Sequence, residues 1–296
     1  MHSLKIAVAS GKGGTGKTTV AAALARSLSA VMPTACWDCD VEAPNTHLFL
    51  KPALQQVAEA VIRIPEIDPQ KCTLCGKCVE VCQFHALAAV GKTIMVFPQL
   101  CHGCGSCTWN CPEGAITEIP HPIGVLEAGD TAEDIRFLRG VLTISEPMGT
   151  PIIRQLKRLE KPDTGQVVIL DAPPGASCSV VETLRGSDFV LLVAEPTPFG
   201  LHDLKQMVSI TEEMGIPAGI VINRSREPFE PLLQFCAEKS LPVLMEIPYD
   251  RRIAEGLAQG SSLEIIYPEY AVRFVALYER ITGLVQAQQQ TASAAG

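Results

Sequence analysis

The sequence predicts a doubly wound α/β fold with a mostly parallel sheet. In the second half of the chain, apolar runs of strand length alternate with amphipathic segments of helical length, as in parallel sheets covered by helices on both faces. Near the N-terminus, the apolar run LKIAVAS leads directly into a glycine-rich loop and a helical segment, KTTVAAALARSL. A cysteine-rich stretch between these two parts indicates an insertion within one large domain.

The individual elements after the insertion follow in order. The predicted strands are QVVILDAPPG, SDFVLLVAEP, PAGIVINRS and LPVLMEIPYD. The predicted helices that cover them are PIIRQLKRL, GLHDLKQMVSITEEM, PFEPLLQFCAEK and EYAVRFVALYERITGLV. We therefore expect an α/β domain made of residues 1–64 and 121–285, an inserted domain at residues 65–120, and a disordered tail at residues 286–296.

The stretch GKGGTGKTT follows the first strand and fits the phosphate-loop pattern G-x-x-x-x-G-K-[ST]. Its glycines allow successive N–H groups to point at phosphate oxygens beside the N-terminus of the following helix. In this motif Lys17 reaches the β and γ phosphates, and the Thr18 hydroxyl binds magnesium. Lys12 is one lysine more than the motif requires. The predicted nucleotide-binding residues of the loop are Gly11, Lys12, Gly13, Gly14, Thr15, Gly16, Lys17, Thr18 and Thr19.

Composition excludes several classes of function. The chain has 296 residues, of which 47% are hydrophobic and 19% charged, so it can bury a full α/β core. Its formal net charge of -8 argues against nucleic-acid binding, which needs a basic face. No apolar run approaches the ~20 residues of a membrane span, and the N-terminus has none of the features of an export signal. We expect a cytoplasmic protein without a stable membrane anchor.

Eight of the 12 cysteines fall in two runs with the same spacing, C-x2-C-x2-C-x3-C. In a reducing compartment such runs favour metal binding over disulfides. The spacing is that of bacterial ferredoxins, in which the fourth cysteine of each run binds the cluster of the other run. It predicts two 4Fe-4S clusters, the first held by Cys72, Cys75, Cys78 and Cys111, and the second by Cys82, Cys101, Cys104 and Cys107.

The segments around the two runs repeat as well. DPQKC matches FPQLC, and FHALAAV matches EGAITEI, so residues 65–120 resemble a complete two-cluster ferredoxin. One departure is Gln83, which stands where the second run has Pro112; the proline shapes a turn and is no ligand. Zinc is the alternative metal for two four-cysteine sites. The doubled spacing favours iron and sulfide.

Polar residues at the carboxyl ends of the predicted strands are the candidate ligand-binding residues, because doubly wound sheets bind ligands there. Asp38 and Asp40 end one strand in CWDCDVEAP. Asp171 ends another in LDAPPG, and Asn223 lies at the end of a third in INRS.

The segments KGGTGKTT, DCDVEAPNTH, ILDAPPG, VINR and IPYD resemble the MinD, ParA, Mrp and nitrogenase-iron-protein group of P-loop ATPases. Because of the insertion, the chain most resembles MinD-type ATPases that carry a ferredoxin domain. The resemblance covers residues 3–285. The resemblance implies ATP and Mg²⁺ as ligands. It also implies an ATP-sandwich homodimer in which Lys12 crosses the interface to the phosphates of the ATP in the other subunit.

Catalytic roles follow from the same resemblance. Asp40 would orient the attacking water, Asp171 would hold magnesium through a water, and the N–H of Gly175 would meet the γ phosphate. With Lys12 and Lys17, these carboxylates form the implied catalytic set. Phosphoryl transfer needs little beyond such positioning and charge neutralisation.

Roles at other positions come from the resemblance with less detail. Asn223 would recognise the adenine, with Pro248 and Asp250 beside it. Asp38 would either support magnesium or simply end its strand. Cys178 follows the strand of Asp171 at the offset of a cysteine that helps hold a shared cluster in the nitrogenase iron protein, and an ordinary buried or unreactive thiol is the alternative.

Three functions are compatible with these features. In the first, ATP binding and hydrolysis gate electron transfer between the two clusters and an unidentified redox partner. In the second, the protein is an iron-sulfur carrier or assembly ATPase that serves a cluster-accepting protein. In the third, it is a MinD-like positioning ATPase with a redox-sensing module. The nearly uncharged C-terminal segment past Arg280 disfavours the third, because membrane cycling needs a cationic amphipathic helix.

Overall fold

A computed structural model describes residues 3–295 and has a nine-stranded sheet at its centre. The strand order across this sheet is β11-β10-β9-β1-β8-β2-β7-β6-β3, and a separate hairpin pairs β4 with β5. Within residues 3–295 the strands are β1 (Leu4–Ala9), β2 (Thr34–Asp38), β3 (Gln55–Ile67), β4 (Leu87–Val90), β5 (Thr93–Val96), β6 (Ile116–Asp130), β7 (Arg136–Leu142), β8 (Val167–Asp171), β9 (Phe189–Ala194), β10 (Ala218–Ser225) and β11 (Val243–Pro248).

The strands from β11 to β7 all pair in parallel, which confirms the predicted mostly parallel α/β fold. Both faces are covered by helices, so β2, β8 and β9 are buried along their whole length. In the described part of the chain the helices are α1 (Lys17–Ser29), α2 (His47–Leu50), α3 (Lys77–Glu80), α4 (Ser106–Trp109), α5 (Thr150–Leu159), α6 (Cys178–Leu184), α7 (Pro198–Met214), α8 (Glu230–Glu238), α9 (Arg251–Ala258), α10 (Leu263–Ile266) and α11 (Glu269–Ala295).

Two hydrophobic layers lie on opposite sides of the sheet. Helices α1 and α11 pack on one side, where Leu24 and Phe274 are fully buried. Helices α5 to α8 pack on the other side, where Leu156 and Met207 are fully buried. Alternate residues of β1 supply the two layers, with Ile6 and Val8 in the first and Ala7 and Ala9 in the second.

The antiparallel part of the sheet was not predicted from the sequence. Strands β3 and β6 pair antiparallel from Gln55 opposite Ala128 to Ile67 opposite Ile116. The borders expected for the insertion, at residues 64/65 and 120/121, therefore fall within these two strands. Prolines obscure the strand pattern here, yet they are tolerated because β3 is an edge strand and β6 pairs with β7 only from Gly124 onward.

The cysteine-rich insertion extends from the end of this two-stranded ribbon. Its own small core contains Leu87, Ile94 and Ile116 together with Cys78 and Cys107. By contrast, Cys101 belongs to the main core, with Ile62 and Ile64 of β3. Cys101, the first cysteine of the second run, thus packs against the α/β body, whereas Cys107 of the same run belongs to the small core of the insertion.

The C-terminal helix is longer than the sequence suggested. We expected a disordered tail from residue 286, whereas α11 continues to Ala295. The segment QAQQQTASAA contains no glycine or proline and is dominated by residues with good helix propensity, so nothing in it ends the helix. Gly296 lies outside the described residues. Among residues 3–295, no helix is long and apolar enough to cross a membrane.

Candidate nucleotide site and cysteine cavities

The phosphate loop connects β1 to α1 at the carboxyl edge of the sheet. Gly14 and Gly16 have φ angles of 79° and 92°, which residues with side chains rarely adopt. A Cβ atom at Gly16 would lie 2.2 Å from Nδ2 of Asn223, and one at Gly11 would lie 2.5 Å from the carbonyl oxygen of Asp203 in α7. The loop is thus held closely between neighbouring elements, with its N–H groups at the start of a helix where anions bind.

The other residues of the phosphate loop differ in their burial and hydrogen bonding. Gly13 is exposed, and Thr18 and Thr19 lie half-buried in the first turn of α1. Thr15 is buried, and within the described residues its Oγ1 atom has no hydrogen-bond partner. Its carbonyl oxygen accepts a hydrogen bond from Nδ2 of Asn223 at 2.7 Å.

Three predicted aspartates meet beside this loop. Asp38 and Asp171 end the adjacent parallel strands β2 and β8 and face each other in register. Both are fully buried, and Asp40 is nearly so. Nζ of Lys17 lies 3.1 Å from Oδ1 of Asp171, so the phosphate-loop lysine pairs with the predicted magnesium carboxylate. Oxygen donors and a lysine at this edge are the groups that bind Mg²⁺ and phosphate.

Burial and charge set the protonation of this cluster. Burial disfavours the ammonium of Lys17, but attraction by Asp171 and Asp40 outweighs it and raises the pKa of Lys17. Burial, followed by repulsion from Asp171, raises the pKa of Asp38 to about 7. Burial also raises the pKa of Asp40, although Lys17 opposes this effect. The aspartates around Lys17 therefore keep its ammonium group charged and hold it in place.

Asp38 organises the loop that follows β2. Its Oδ1 accepts a hydrogen bond from the backbone N–H of Asp40 at 3.1 Å. Its Oδ2 accepts from the N–H groups of Asn45 and Thr46, each at 3.0 Å. Asp38 therefore fixes the backbone that carries Asp40. The sequence left its role open between supporting magnesium and ending a strand, and these bonds give it a third one.

Two residues of the site were missed by the sequence analysis. The hydroxyl of Thr46 donates a hydrogen bond to Oδ2 of Asp171 at 2.7 Å. Glu195, directly after β9, accepts from Lys12 at 3.1 Å with one oxygen and from Arg224 at 2.6 Å with the other. Thr46 lies in DCDVEAPNTH, a segment of the family resemblance, eight residues beyond the end of β2, but the resemblance gave it no role. Glu195 lies outside the resembling segments, and its only signal was its position directly after β9.

Several predicted ATP-binding groups have partners within the chain. The N–H of Gly175 donates to the carbonyl of Ser10 at 3.0 Å, and Asn223 is committed to the phosphate loop as described above. Asp250 caps α9 by accepting from the N–H of Arg252 at 2.7 Å, and it also accepts from the hydroxyl of Tyr267. The γ-phosphate role of Gly175 and the adenine role of Asn223 stay predictions.

A surface cavity that opens to solvent lies beside Glu195, the ion-pair partner of Lys12 in the phosphate loop. It is lined by Glu195 and by Arg224 and Tyr249, the residues that directly follow Asn223 and Pro248. The guanidinium of Arg226 stacks 3.8 Å from the ring centroid of Tyr249. The structure thus brings the predicted adenine-binding segments to one cavity, although the side chains that line it are the neighbours of those predicted.

The eight cysteines of the insertion line two separate cavities. The first is lined by Cys72, Cys75, Cys78 and Cys111, and the second by Cys82, Cys101, Cys104 and Cys107. Each cavity thus takes three cysteines from one run and the fourth from the other. Among the described residues, no group of three or more His, Cys, Asp or Glu side chains converges on a single metal ion. A four-iron cluster has a different requirement, because each cysteine binds a different iron atom.

The internal repeat of the insertion extends to its backbone. Leu74 and Gly103 have φ angles of 60° and 62°, and they occupy the same place in their runs. Gly76 and Gly105, which directly precede α3 and α4, have φ angles of 78° and 74°. The two runs therefore adopt the same turn sequence.

Backbone hydrogen bonds reach the fourth cysteine of each run. Sγ of Cys82 accepts from the N–H of Ala86, and Sγ of Cys111 accepts from the N–H of Ala115, both at 3.3 Å. Such N–H···S bonds stabilise thiolate ligands and tune cluster potentials. The four cysteines that line each cavity match the ligand set of a four-iron cluster. Cys178 is exposed at the first residue of α6.

Comparison with known proteins relates this fold and site to one family. A model described as the CobQ/CobB/MinD/ParA nucleotide-binding domain matches residues 6–263. The uncharacterized protein MJ0579 of Methanocaldococcus jannaschii is 32% identical over 258 residues, which are 87% of this chain and 90% of that protein. The uncharacterized ATP-binding protein MJ0547 of the same organism is 25% identical over 273 residues, covering 91% of this chain and 83% of that protein.

The solved structures show the same fold. The septum site-determining protein MinD of Pyrococcus horikoshii, complexed with Mg-ADP, superposes with a TM-score of 0.59 at 20% identity. The match covers 95% of this chain and 97% of the MinD chain. The family match spans most of the chain and includes the phosphate loop and all three aspartates. The chain therefore belongs to the CobQ/CobB/MinD/ParA family of nucleotide-binding proteins.

Proposed function

We propose that the protein is an ATP-hydrolysing iron-sulfur protein in which the nucleotide state gates electron transfer through two 4Fe-4S clusters. One observation carries this proposal. A single chain contains a phosphate loop with its aspartates and two four-cysteine cavities, each of which takes one cysteine from the other run. The continuous strands β3 and β6 connect the two parts. The proposed redox partner is a protein that docks on the insertion.

The cysteines supply the ligands for the clusters. Cys72, Cys75, Cys78 and Cys111 would hold the first, and Cys82, Cys101, Cys104 and Cys107 the second. When bound, each cluster would take up and release one electron. The chain itself supplies hydrogen bonds to the sulfurs and shields the ligands Cys78, Cys101 and Cys107, which are buried. Cys75 and Cys104 are exposed, which favours exchange of electrons with an external partner.

The nucleotide half of the proposal assigns tasks to the charged groups. Lys17 and the N–H groups of the loop would hold the phosphates, and Asp40 would orient the attacking water. Thr18 and Asp171 would hold Mg²⁺ beside the β and γ phosphates. Lys12 would act from one subunit on the nucleotide of a second copy, so the proposed active form is an ATP-dependent homodimer.

Binding of ATP in this way requires three exchanges of partners. Lys17 leaves Asp171, Lys12 leaves Glu195, and the N–H of Gly175 leaves the carbonyl of Ser10. Each exchange replaces an internal partner with a phosphate oxygen. Lys12 and Lys17 lie in the phosphate loop, Gly175 follows β8, and Glu195 follows β9, so phosphate binding would change the contacts among these three loops together. This is the structural basis that we propose for a switch between two states.

Helix α5 connects these loops to the strands that carry the insertion. On one side it contacts α6, which follows Gly175, through Arg154 and Glu182 at 3.0 Å. On the other side, the amide of Gln155 accepts from the N–H of Val61 at 3.1 Å and donates to its carbonyl at 2.9 Å. Val61 lies at a register break in β3, where the ladder to β6 is interrupted. Gln155 thus bonds to the ribbon at one of its two register breaks.

The ribbon in turn contacts the second cysteine cavity. A Cβ atom at Gly103, between Cys101 and Cys104, would lie 3.1 Å from the carbonyl oxygen of Arg63. Arg63 also donates a hydrogen bond to the carbonyl of Glu118 at 3.2 Å. A movement of α5 would therefore reach the cluster held by Cys101 and Cys104 through two residues of β3. We propose this route for the coupling between nucleotide and clusters.

The first test is the metal content of the protein. Prepared without oxygen, it should contain about eight irons and eight acid-labile sulfides per chain, because two four-iron clusters have that composition. Colorimetric iron and sulfide analysis, with optical and EPR spectra, measures this. Stoichiometric zinc in a colourless protein would refute the proposal.

Paired variants test how the ligands are shared. Cys72 and Cys82 belong to one run but line different cavities, so replacing both with Ala should remove both clusters. Cys72 and Cys111 belong to different runs but line one cavity, so replacing both should leave about four irons. The reverse result would mean that each run holds its own cluster.

A further inference from the structure

Thr46 makes contacts that a residue at its position does not ordinarily make. It is fully buried and precedes the first residue of α2, which is the N-cap position. A threonine there usually accepts a hydrogen bond from an N–H of the first helical turn. The Thr46 hydroxyl makes no such bond and donates instead to Oδ2 of Asp171 at 2.7 Å. The hydroxyl of Thr46 thus bonds to the carboxylate at the end of β8 and not to the backbone of its own helix.

The backbone of Thr46 connects it to the other two aspartates. Its N–H donates to Oδ2 of Asp38 at 3.0 Å. The opposite oxygen of Asp38 accepts from the N–H of Asp40 at 3.1 Å. Thr46 therefore contacts two carboxylates. Its side chain bonds to Asp171, and its backbone N–H bonds to Asp38, the residue that holds the backbone of Asp40.

We propose that Thr46 is a positioning residue that fixes the orientation of the Asp171 carboxylate toward Mg²⁺ and its position relative to Asp40. The inference rests on the proposed ATP site. Asp171 has one oxygen on Lys17 and the other on Thr46. When Lys17 turns to the phosphates, Oδ1 becomes available while Oδ2 stays on Thr46. The carboxylate then keeps its orientation during the exchange, because hydrogen-bonded partners of metal-binding groups hold those groups in place.

The test compares Thr46→Val, which keeps the shape and removes the hydroxyl, with Thr46→Ser, which keeps the hydroxyl. The affinity for a fluorescent, non-hydrolysable ATP analogue is measured in full-length protein across a Mg²⁺ titration and in EDTA. In Thr46→Val the Mg²⁺-dependent gain in affinity should fall by about 10-fold to 100-fold, the usual effect of losing such a partner. Affinity in EDTA should not change, since the phosphate loop is intact, and Thr46→Ser should behave as the parent protein.

Thr46→Ala serves as a second hydroxyl-free variant if Thr46→Val does not fold, as judged by circular dichroism and by binding in EDTA. An unchanged Mg²⁺ dependence in the folded hydroxyl-free variant would overturn the proposal. An equal loss in Thr46→Ser would also overturn it, because the methyl group and not the hydroxyl would then matter. If the parent protein itself binds the analogue without any help from Mg²⁺, the ATP site is wrong and the inference fails with it.

Discussion

Replacing Lys17 with Ala should abolish ATP hydrolysis and leave both clusters in place. Lys17 is buried among Asp171, Asp40 and Asp38, and in the proposed mechanism it is the main positive charge on the β and γ phosphates. Removal of one preorganised charge or donor from a reacting group commonly costs about 10²-fold to 10³-fold in rate. Turnover of ATP, measured as released phosphate, should fall at least that far. Iron and sulfide content should stay at the parent value, because the cysteine cavities lie in the insertion.

A matched control uses Lys161, which is exposed and follows the end of α5. Lys161→Ala removes the same charge from the surface and should hydrolyse ATP at the parent rate. Normal turnover in Lys17→Ala would mean that the phosphate loop is not the site of hydrolysis. Loss of iron in that variant would mean that the two halves of the molecule are not separable.

Replacing Lys12 with Ala should abolish hydrolysis by a different route. Lys17 and the N–H groups of the loop remain, so ATP should still bind with nearly the parent affinity. Lys12 is partly exposed, and its partner Glu195 also pairs with Arg224, so the Glu195 carboxylate keeps a cationic partner when Lys12 turns toward a second subunit. We therefore expect the variant to lose ATP-dependent dimerisation together with turnover. Analytical ultracentrifugation with a non-hydrolysable analogue measures the dimer.

Lys161→Ala, the surface variant described above, is the control for this experiment too, because Lys161 is exposed and follows the end of α5. It should still dimerise with ATP. An unchanged ATP-bound dimer in Lys12→Ala would rule out its role in trans.

The parts of the site that the sequence predicted are those with strict geometric requirements. The phosphate loop needs glycines at fixed spacing, of which Gly14 and Gly16 have positive φ angles. Asp38 and Asp171 could be expected to meet because parallel strands end at the same edge of the sheet, and they do lie in register. The spacing of the cysteine runs likewise anticipated which cysteines share a cavity.

The parts that it missed depend on contacts between segments far apart in the chain. Thr46 reaches Asp171 across 125 positions, and Gln155 reaches Val61 across 94. No local pattern marks such pairs. The pairing of β3 with β6 was missed for a related reason, since Pro65, Pro120 and Pro122 interrupt the alternation that signals a strand. Proline is tolerated there because β3 is an edge strand and β6 pairs with β7 only from Gly124 onward, which no local pattern reveals.

We propose that the nucleotide state and the cluster state are thermodynamically coupled within one chain. Redox titrations followed by EPR, with and without a non-hydrolysable ATP analogue, measure this most directly. Coupling energies of ~1 to 3 kcal/mol correspond to shifts of roughly 40 to 130 mV for a one-electron couple, and we expect a shift in that range. Linkage requires that reduction of the clusters change the affinity for the analogue by the same factor. Identical potentials with and without the analogue, together with equal analogue affinity for oxidised and reduced protein, would show that the nucleotide site and the clusters are independent.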